Sequence, residues 1–240
     1  MTILGKYIKH LGLSVDREIQ GTVGKLLPKG KVSYLDVGCD DGVKTRIRAD
    51  TIGTGKVFGL EKVKTRAALA GRRGIKMAVG DLNKKWELPS DYFTCLTATE
   101  VIEHLVDLDN FFMEANRVMK KKGTIILSTE NLASYHNIFA LILGNQPYSG
   151  PFLSRKYPIG HRPNADYWKS EISSKMEPHL NVMTAKSLES LLSFYGFRVE
   201  KTEGVGFYPL PSPFFKLFSG LDKYHASYVV VKAKKVGEPK

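Results

Sequence analysis

The sequence predicts an α/β fold in which a parallel sheet is covered by helices on both faces and interrupted late by a cap. Three observations carry this. Five short apolar runs alternate with helical patterns, the first run ends in a glycine-bearing turn that opens a helix, and residues 130–180 break the alternation. Strand, helix, strand repeated at this spacing marks parallel crossover units. At 240 residues the chain suits one large domain better than two. With 42% hydrophobic and 25% charged residues it has material for a substantial core and no case for disorder.

The elements follow in order. An N-terminal helical segment over 1–30 holds a helix at 14–27, with Ser14 or Asp16 as N-cap and Pro28-Lys-Gly30 as the stop. Strands are expected at Val32–Val37, Lys56–Leu60, Ile75–Val79, Phe93–Thr99 and Gly123–Ser128, separated by helices near 43–50, 63–71 and 107–120. After Thr129 a short apolar helix (Ser134–Leu143) precedes an irregular stretch with Pro147, Pro151, Pro158, Pro163 and Pro178. So long a stretch without periodicity reads as a lid or binding loop, and 130–182 is assigned as a cap or substrate-binding insertion. Helix and strand return at Ala185–Tyr195 and Phe197–Glu203, and Tyr228–Lys232 is a last β-rich run.

Composition narrows the setting. Cys39 and Cys95 are the only cysteines, which excludes a disulfide scaffold and a multi-cysteine zinc fold and points to a reducing compartment. The longest apolar stretch, Ile138–Leu143, is too short to span a bilayer, and Lys6, Lys9 and His10 break any signal-peptide core. The expectation is a cytoplasmic protein. Net charge is +12 and pI about 9.5. Much of the excess lies between Lys44 and Lys76, where Lys44, Arg46, Arg48, Lys56, Lys62, Lys64, Arg66, Arg72, Arg73 and Lys76 face only Asp50 and Glu61. Such a face attracts nucleic acid, anionic lipid or phosphorylated substrates, and equally suits a solvated surface.

Tyr34-Leu-Asp-Val-Gly-Cys-Asp-Asp-Gly42 is an apolar strand ending in a glycine turn, where open α/β sheets bind ligands. The dinucleotide pattern G-x-G-x-x-G fails, because Asp40 and Val43 occupy its second and third glycines. The Walker pattern fails too, since Val57 follows Gly55-Lys56. An S-adenosylmethionine site remains, with Asp36 placed for the ligand's ammonium, Glu61 ending the second strand for the ribose hydroxyls, and Asp81 and Leu82 after the third for the adenine. Here the sequence resembles the class I S-adenosylmethionine-dependent methyltransferases, from about residue 30 to 130 and more weakly to 232. Asp36, Gly38, Gly42, Glu61 and Asp81 match that family's cofactor motifs, while Asp40 stands where the family usually has glycine. The resemblance implies a Rossmann-like, doubly wound, mostly parallel seven-stranded sheet. It also implies a cofactor-binding set of Asp36, Gly38, Cys39, Gly42, Glu61, Asp81, Leu82 and Glu100. On this reading Asp36→Ala and Gly38→Val abolish cofactor binding while the chain still folds.

The fourth strand delivers Thr99-Glu-Val-Ile-Glu-His-Leu105. If a helical turn begins at Glu100, then Glu100, Glu103 and His104 share one face. Either His104 is a general base with the two glutamates beside it, or the carboxylates and imidazole hold a divalent metal. The segment is similar to the E-x-x-E-H element of the ubiquinone-pathway O-methyltransferases and of the small-RNA 2′-O-methyltransferases. In the latter a later histidine completes a magnesium site, which makes His179 the counterpart and Glu100, Glu103, His104 and His179 the metal set. His136 and His161 lie in the cap within reach of a substrate, and Tyr148, Tyr157 and Tyr167 give it aromatic surface.

For the acceptor, Thr129–Asn137 with Leu143–Pro147 resembles methyltransferases of surface-glycan and small-metabolite pathways. This implies O-methylation of a hydroxyl on a small metabolite, sugar or lipid-linked glycan. The apolar run Gly204–Phe218 either walls an acceptor pocket, rests with the basic face on an anionic membrane, or packs on the sheet edge. RNA is the competing substrate, supported by charge but by no RNP-like motif. A cofactor-binding protein without turnover is the non-enzymatic alternative.

Overall fold

In the computed structural model, residues 3–154, 178–210 and 222–240 are described, with side chains from His10 onward apart from Leu11. His161, Tyr157, Tyr167, Pro158 and Pro163, the central part of the expected cap and the end of the 204–218 run lie outside the described residues. The elements in chain order are α1 (Ile3–Leu26), β1 (Tyr34–Val37), α2 (Val43–Ile52), β2 (Val57–Glu61), α3 (Lys64–Arg72), β3 (Lys76–Val79) and β4 (Phe93–Thr99). A 3₁₀ turn (Ile102–His104), α4 (Leu108–Val118), β5 (Met119–Glu130), α5 (Tyr135–Ile142), α6 (Ala185–Phe194), β6 (Phe197–Val205) and β7 (Tyr228–Lys235) complete them.

The sheet order is β3-β2-β1-β4-β5-β7-β6. The first five strands run parallel, while β7 pairs antiparallel with both β5 and β6. This is the mostly parallel, Rossmann-like sheet expected of the class. Order reverses at β1, so the carboxyl ends of β1 and β4 flank the crevice where such sheets take ligands.

Each face of the sheet carries its own core. On one, Phe111, Phe112, Ala115 and Val118 of α4 and Leu188 and Leu192 of α6 pack with Leu35, Leu96 and Leu127. On the other, Val15, Ile19 and Val23 of α1 recur at helical spacing and pack with Ala49, Ile52, Cys95 and Ile126. Burying each such aliphatic side chain contributes roughly 1.5–3 kcal/mol.

Two boundaries differ from expectation for physical reasons. α1 begins at Ile3, so Ser14 and Asp16 lie inside it. Asp16 Oδ1 accepts from Lys44 Nζ at 2.7 Å and Gln20 Nε2 at 3.3 Å, so its carboxylate serves side chains and not a helix start. β5 begins at Met119, four residues early. A register shift between Phe93 and Cys95, with Lys122 at φ 66°, lets exposed Lys120–Lys122 bow outward.

Candidate active site

The turn after β1 is held by backbone. Gly38 N–H donates to the Leu60 carbonyl at 2.8 Å, and Gly42 N–H to the Cys39 carbonyl at 3.0 Å. Gly38 (φ 69°), Asp40 (φ 50°) and Gly42 (φ 82°) are all left-handed. A Cβ at 38 would lie 2.6 Å from Val101 Cγ2, and one at 42 would lie 2.6 Å from Ile75 Cδ1 and 2.9 Å from Ala70 Cα. Both glycines are therefore required by the protein's own packing. Asp at position 40, where the family has glycine, adopts the same left-handed backbone. Its carboxylate is paired with Arg66, whose hydrogen bond first, with its charge, holds that carboxyl below the usual range.

Glu61, at the end of β2, is brought against this turn. One oxygen accepts the Asp40 N–H at 3.0 Å and the other the Val63 N–H at 2.9 Å. A carboxylate offers about four acceptor positions, so capacity remains for a pair of hydroxyls. Gly80 N–H donates to the Glu61 carbonyl at 3.2 Å, which brings the end of β3 beside it. Asp81 there accepts the Asn83 N–H and Nδ2 at 3.0 Å each, and the Asn83 backbone bond foremost keeps its carboxyl low. Leu82 is buried in the core at 9% exposure, and Cys39 Sγ is buried 4.0 Å from Met77 Sδ.

Asp36 departs most from expectation. It lies within β1 at 2% exposure and does not end it. Arg48 Nη1 donates to its oxygens at 2.9 and 3.1 Å, and the Thr45 and Thr97 hydroxyls donate at 2.5 Å each. Arg48 Nη2 continues to Gln20 Oε1 of α1 at 2.6 Å and Thr99 Oγ1 of β4 at 2.8 Å. The carboxylate facing a ligand ammonium is instead the centre of a buried ion pair joining β1, α2, β4 and α1.

The acidic-histidine segment also folds differently from a helix starting at 100. Glu100 is left-handed (φ 55°), and the 3₁₀ turn begins two residues later, so Glu100 does not share a helical face with Glu103 and His104. Glu100 Oε1 accepts the Ser128 hydroxyl at 2.6 Å. Burial, then the charge of Glu103, pushes its carboxyl well above the carboxylate range. Glu103 is 1% exposed and accepts the Thr129 hydroxyl at 3.0 Å. Its carbonyl accepts the Leu180 and Asn181 N–H groups at 2.7 and 3.0 Å, which pulls His179 over it. Burial raises the Glu103 carboxyl to about 7.

Glu103, His104 and His179 thereby place one ligand atom each within 4.8 Å of one another, and the two imidazoles lie 4.9 Å apart. Glu100 is outside this group. Among the described residues these three form the cluster able to hold a metal ion. His104 Nδ1 sits 3.3 Å from the Pro178 carbonyl. Burial acts to lower the His179 pKa, but the charge of Glu130 outweighs it and raises the imidazole to about 9. Glu130, Ser149, Thr129, Thr97 and Arg48 were not singled out from sequence. For Glu130 a signal existed: a charged residue closing the uncharged strand run Gly123–Thr129.

His136 of α5 completes the surroundings, its ring edge-on to Tyr208 at 5.4 Å and tilted to Tyr148 at 6.0 Å. Its Nδ1 is buried without a hydrogen-bond partner among the described residues. Burial lowers its pKa to about 4, against the opposing charge of Glu130. The depressed value fixes the sign: the contribution of neutral His136 is complete above pH 6.5 and is lost as pH falls towards 4. Urea titrations across that window should show His136→Phe reducing the acid-induced loss by roughly 3 kcal/mol at most. An identical pH dependence in the variant would refute the assignment.

Three comparisons bear on this geometry. Residues 7–202 match the methyltransferase domain family. The mitochondrial ubiquinone biosynthesis O-methyltransferase of Homo sapiens is 24% identical over 208 residues, covering 83% of this chain and 50% of that protein. The chain spans about half the length of the relatives it matches. An S-adenosylmethionine-dependent methyltransferase from Mesorhizobium loti superposes with a TM-score of 0.59 at 19% identity, over 88% of this chain and 94% of that one. Geranyl diphosphate C-methyltransferase from Streptomyces coelicolor, solved with Mg2+, geranyl diphosphate and S-adenosyl-L-homocysteine, gives 0.60 at 16% identity, over 92% and 81%. At these identities the structural likeness is one of fold.

Proposed function

The chain belongs to the methyltransferase-domain family of class I S-adenosylmethionine-dependent enzymes, and we propose that it methylates a hydroxyl group on a small metabolite, sugar or lipid-linked glycan. The observation that carries this is the group of Glu103, His104 and His179, the first two lying just beyond β4, where Val101 packs on the glycine turn. The names of the relatives support transfer to oxygen.

In this proposal the turn at Gly38–Gly42 and Glu61 hold the methyl donor, with Glu61 on the ribose hydroxyls and Asp81 on the adenine. S-adenosylmethionine supplies a methyl group made electrophilic by its sulfonium. The protein must align the acceptor and handle its proton. Glu103, whose carboxyl is raised to about 7, and His104 stand where that proton would be taken. Glu100, bound to Ser128, borders the same space.

The donor set fits a divalent ion held by Glu103, His104 and His179. Two imidazoles with one carboxylate suit a borderline first-row ion, or Mn2+, which accepts nitrogen ligands more readily than Mg2+ does. When bound, such an ion supplies Lewis acidity that lowers the pKa of an acceptor hydroxyl. Residues 130–182 are proposed as the acceptor-binding cap. The lipid-linked branch of the substrate class is supported by α5 and its continuation, where Phe139, Leu141, Ile142 and Leu143 are exposed. No helix among the described residues is long and apolar enough to cross a membrane.

RNA gains no second observation. Of the ten basic residues between 44 and 76, Lys44, Arg46, Arg48, Arg66 and Arg73 are paired with carboxylates, and Arg48 is buried. The test is incubation with methyl-labelled donor and cell extract, then fractionation of the label into RNA, protein, lipid and small molecules. Label in the lipid or small-molecule fraction supports the reading, and label in RNA overturns it. Calorimetry should show Glu61→Ala weakening donor binding by about 1–3 kcal/mol through lost charge-assisted bonds. Unchanged affinity would remove Glu61 from the site.

A further inference from the structure

Glu130 is the last residue of β5, and its carboxylate lies against His179. The His179 Nδ1 hydrogen bond goes to the Ser149 carbonyl oxygen at 2.8 Å, and Glu130 Oε2, 3.1 Å from the same nitrogen, makes an ion-pair contact without a hydrogen bond of its own among the described residues. The Tyr228 hydroxyl of β7 donates to Glu130 Oε1 at 3.2 Å. A carbonyl oxygen can only accept, so Nδ1 must carry the hydrogen, and the carboxylate reinforces that choice. When the ring is neutral its lone pair therefore resides on Nε2. Both sides of this contact are nearly dry, with side-chain exposures of 7% for His179 and 14% for Glu130, so the contact is little screened.

We propose that Glu130 is a positioning residue: with the Ser149 carbonyl it locks His179 as the Nδ1–H tautomer and aims Nε2 at Glu103 and His104. The proposal rests on the reading of those three residues as the reactive group. A carboxylate behind the far nitrogen of a histidine is the arrangement that orients such rings in metal sites and increases their basicity. Residues Ile125–Thr129 before Glu130 are all buried, and isolated burial of a carboxylate is costly unless something is held in return.

The full chain is compared with Glu130→Leu and Glu130→Gln, the second keeping an acceptor oxygen. Mn2+ affinity, read by electron paramagnetic resonance of free ion, should fall 10- to 100-fold in the Leu variant and recover most of that in the Gln variant. S-adenosylmethionine affinity by calorimetry should be unchanged in both, which separates a lost position from a disrupted fold. A Leu variant binding Mn2+ like the parent overturns the proposal. If the parent itself binds no Mn2+, the metal reading fails alone, and a second measurement decides on Glu130. Nitrogen-15 spectra of metal-free protein at a pH well above 9, where His179 loses its second proton, report its tautomer directly. A single Nδ1–H form in the parent that becomes mixed in the Leu variant supports the proposal, and an unchanged tautomer and ring shift overturn it.

Discussion

Asp36→Ala is expected to cost about 3–5 kcal/mol of stability, because it leaves the Arg48 guanidinium buried without its counter-charge. The Thr45 and Thr97 hydroxyls lose their acceptor as well. For a domain of ordinary stability this is a large fraction of the total. Any loss of cofactor binding then follows from unfolding or from a displaced turn. Urea denaturation measures the effect, and two further variants keep the claim testable if the Ala protein does not fold. Asp36→Asn keeps one acceptor oxygen, and with it two of the four hydrogen bonds, and should cost less, whereas Asp36→Leu combined with Arg48→Met should recover much of the stability. Wild-type stability in Asp36→Ala, together with lost donor affinity, would restore Asp36 as a ligand-facing group.

His104→Ala should lower turnover by at least about 10²-fold while donor affinity stays nearly unchanged. The side chain is half-buried at the edge of the group, so its loss leaves no cavity in either core. Single-turnover kinetics with and without EDTA separate the two mechanisms. Loss of activity in EDTA with recovery on Mn2+ or Mg2+, and impairment of His179→Ala, selects a metal on Glu103, His104 and His179. Full activity in EDTA selects His104 as the base. A fully active His104→Ala protein sinks both, and alignment of the acceptor alone must then suffice.

The strands β1, β2, β3 and β4 were legible because each is a short apolar run between turn residues, and local pattern decides such elements. The start of α1 was not, since capping residues were read where a tertiary partner, Lys44, claims the Asp16 carboxylate. The same limit explains Asp36. Its spacing before a glycine turn is visible, but that Arg48 would fold back onto it depends on packing across α2 and β4. Glu61 ends β2 and Asp81 follows β3, as the spacing predicts, because topology places those ends together. Glu100 was misjudged through one dihedral: a left-handed residue uncouples it from the turn that follows. Its effect is to leave Glu103 and His104 as near neighbours while turning Glu100 towards Ser128. Glu130 is visible as a charge closing a buried strand, but its partner, a histidine from a distant segment, is not.

The placement of β7 between β5 and β6 bears on how the molecule acquires its shape during synthesis. β6 is made first, yet it has no neighbour in the sheet until β7 arrives to separate it from β5. Strands β1 to β5 can zip together from consecutive crossovers as they emerge, whereas β6 and β7 must wait for a late, non-local pairing. Tyr228, which binds Glu130, and Lys235, whose buried ammonium donates to the Asn116 and Met119 carbonyls, both ride on that strand. The half-made protein therefore exposes the edge of β5, a template for unwanted pairing, until β7 docks. Ribosome-bound chains stalled before residue 228 should carry a protease-sensitive β5 edge, and release of β7 should protect it in one cooperative step.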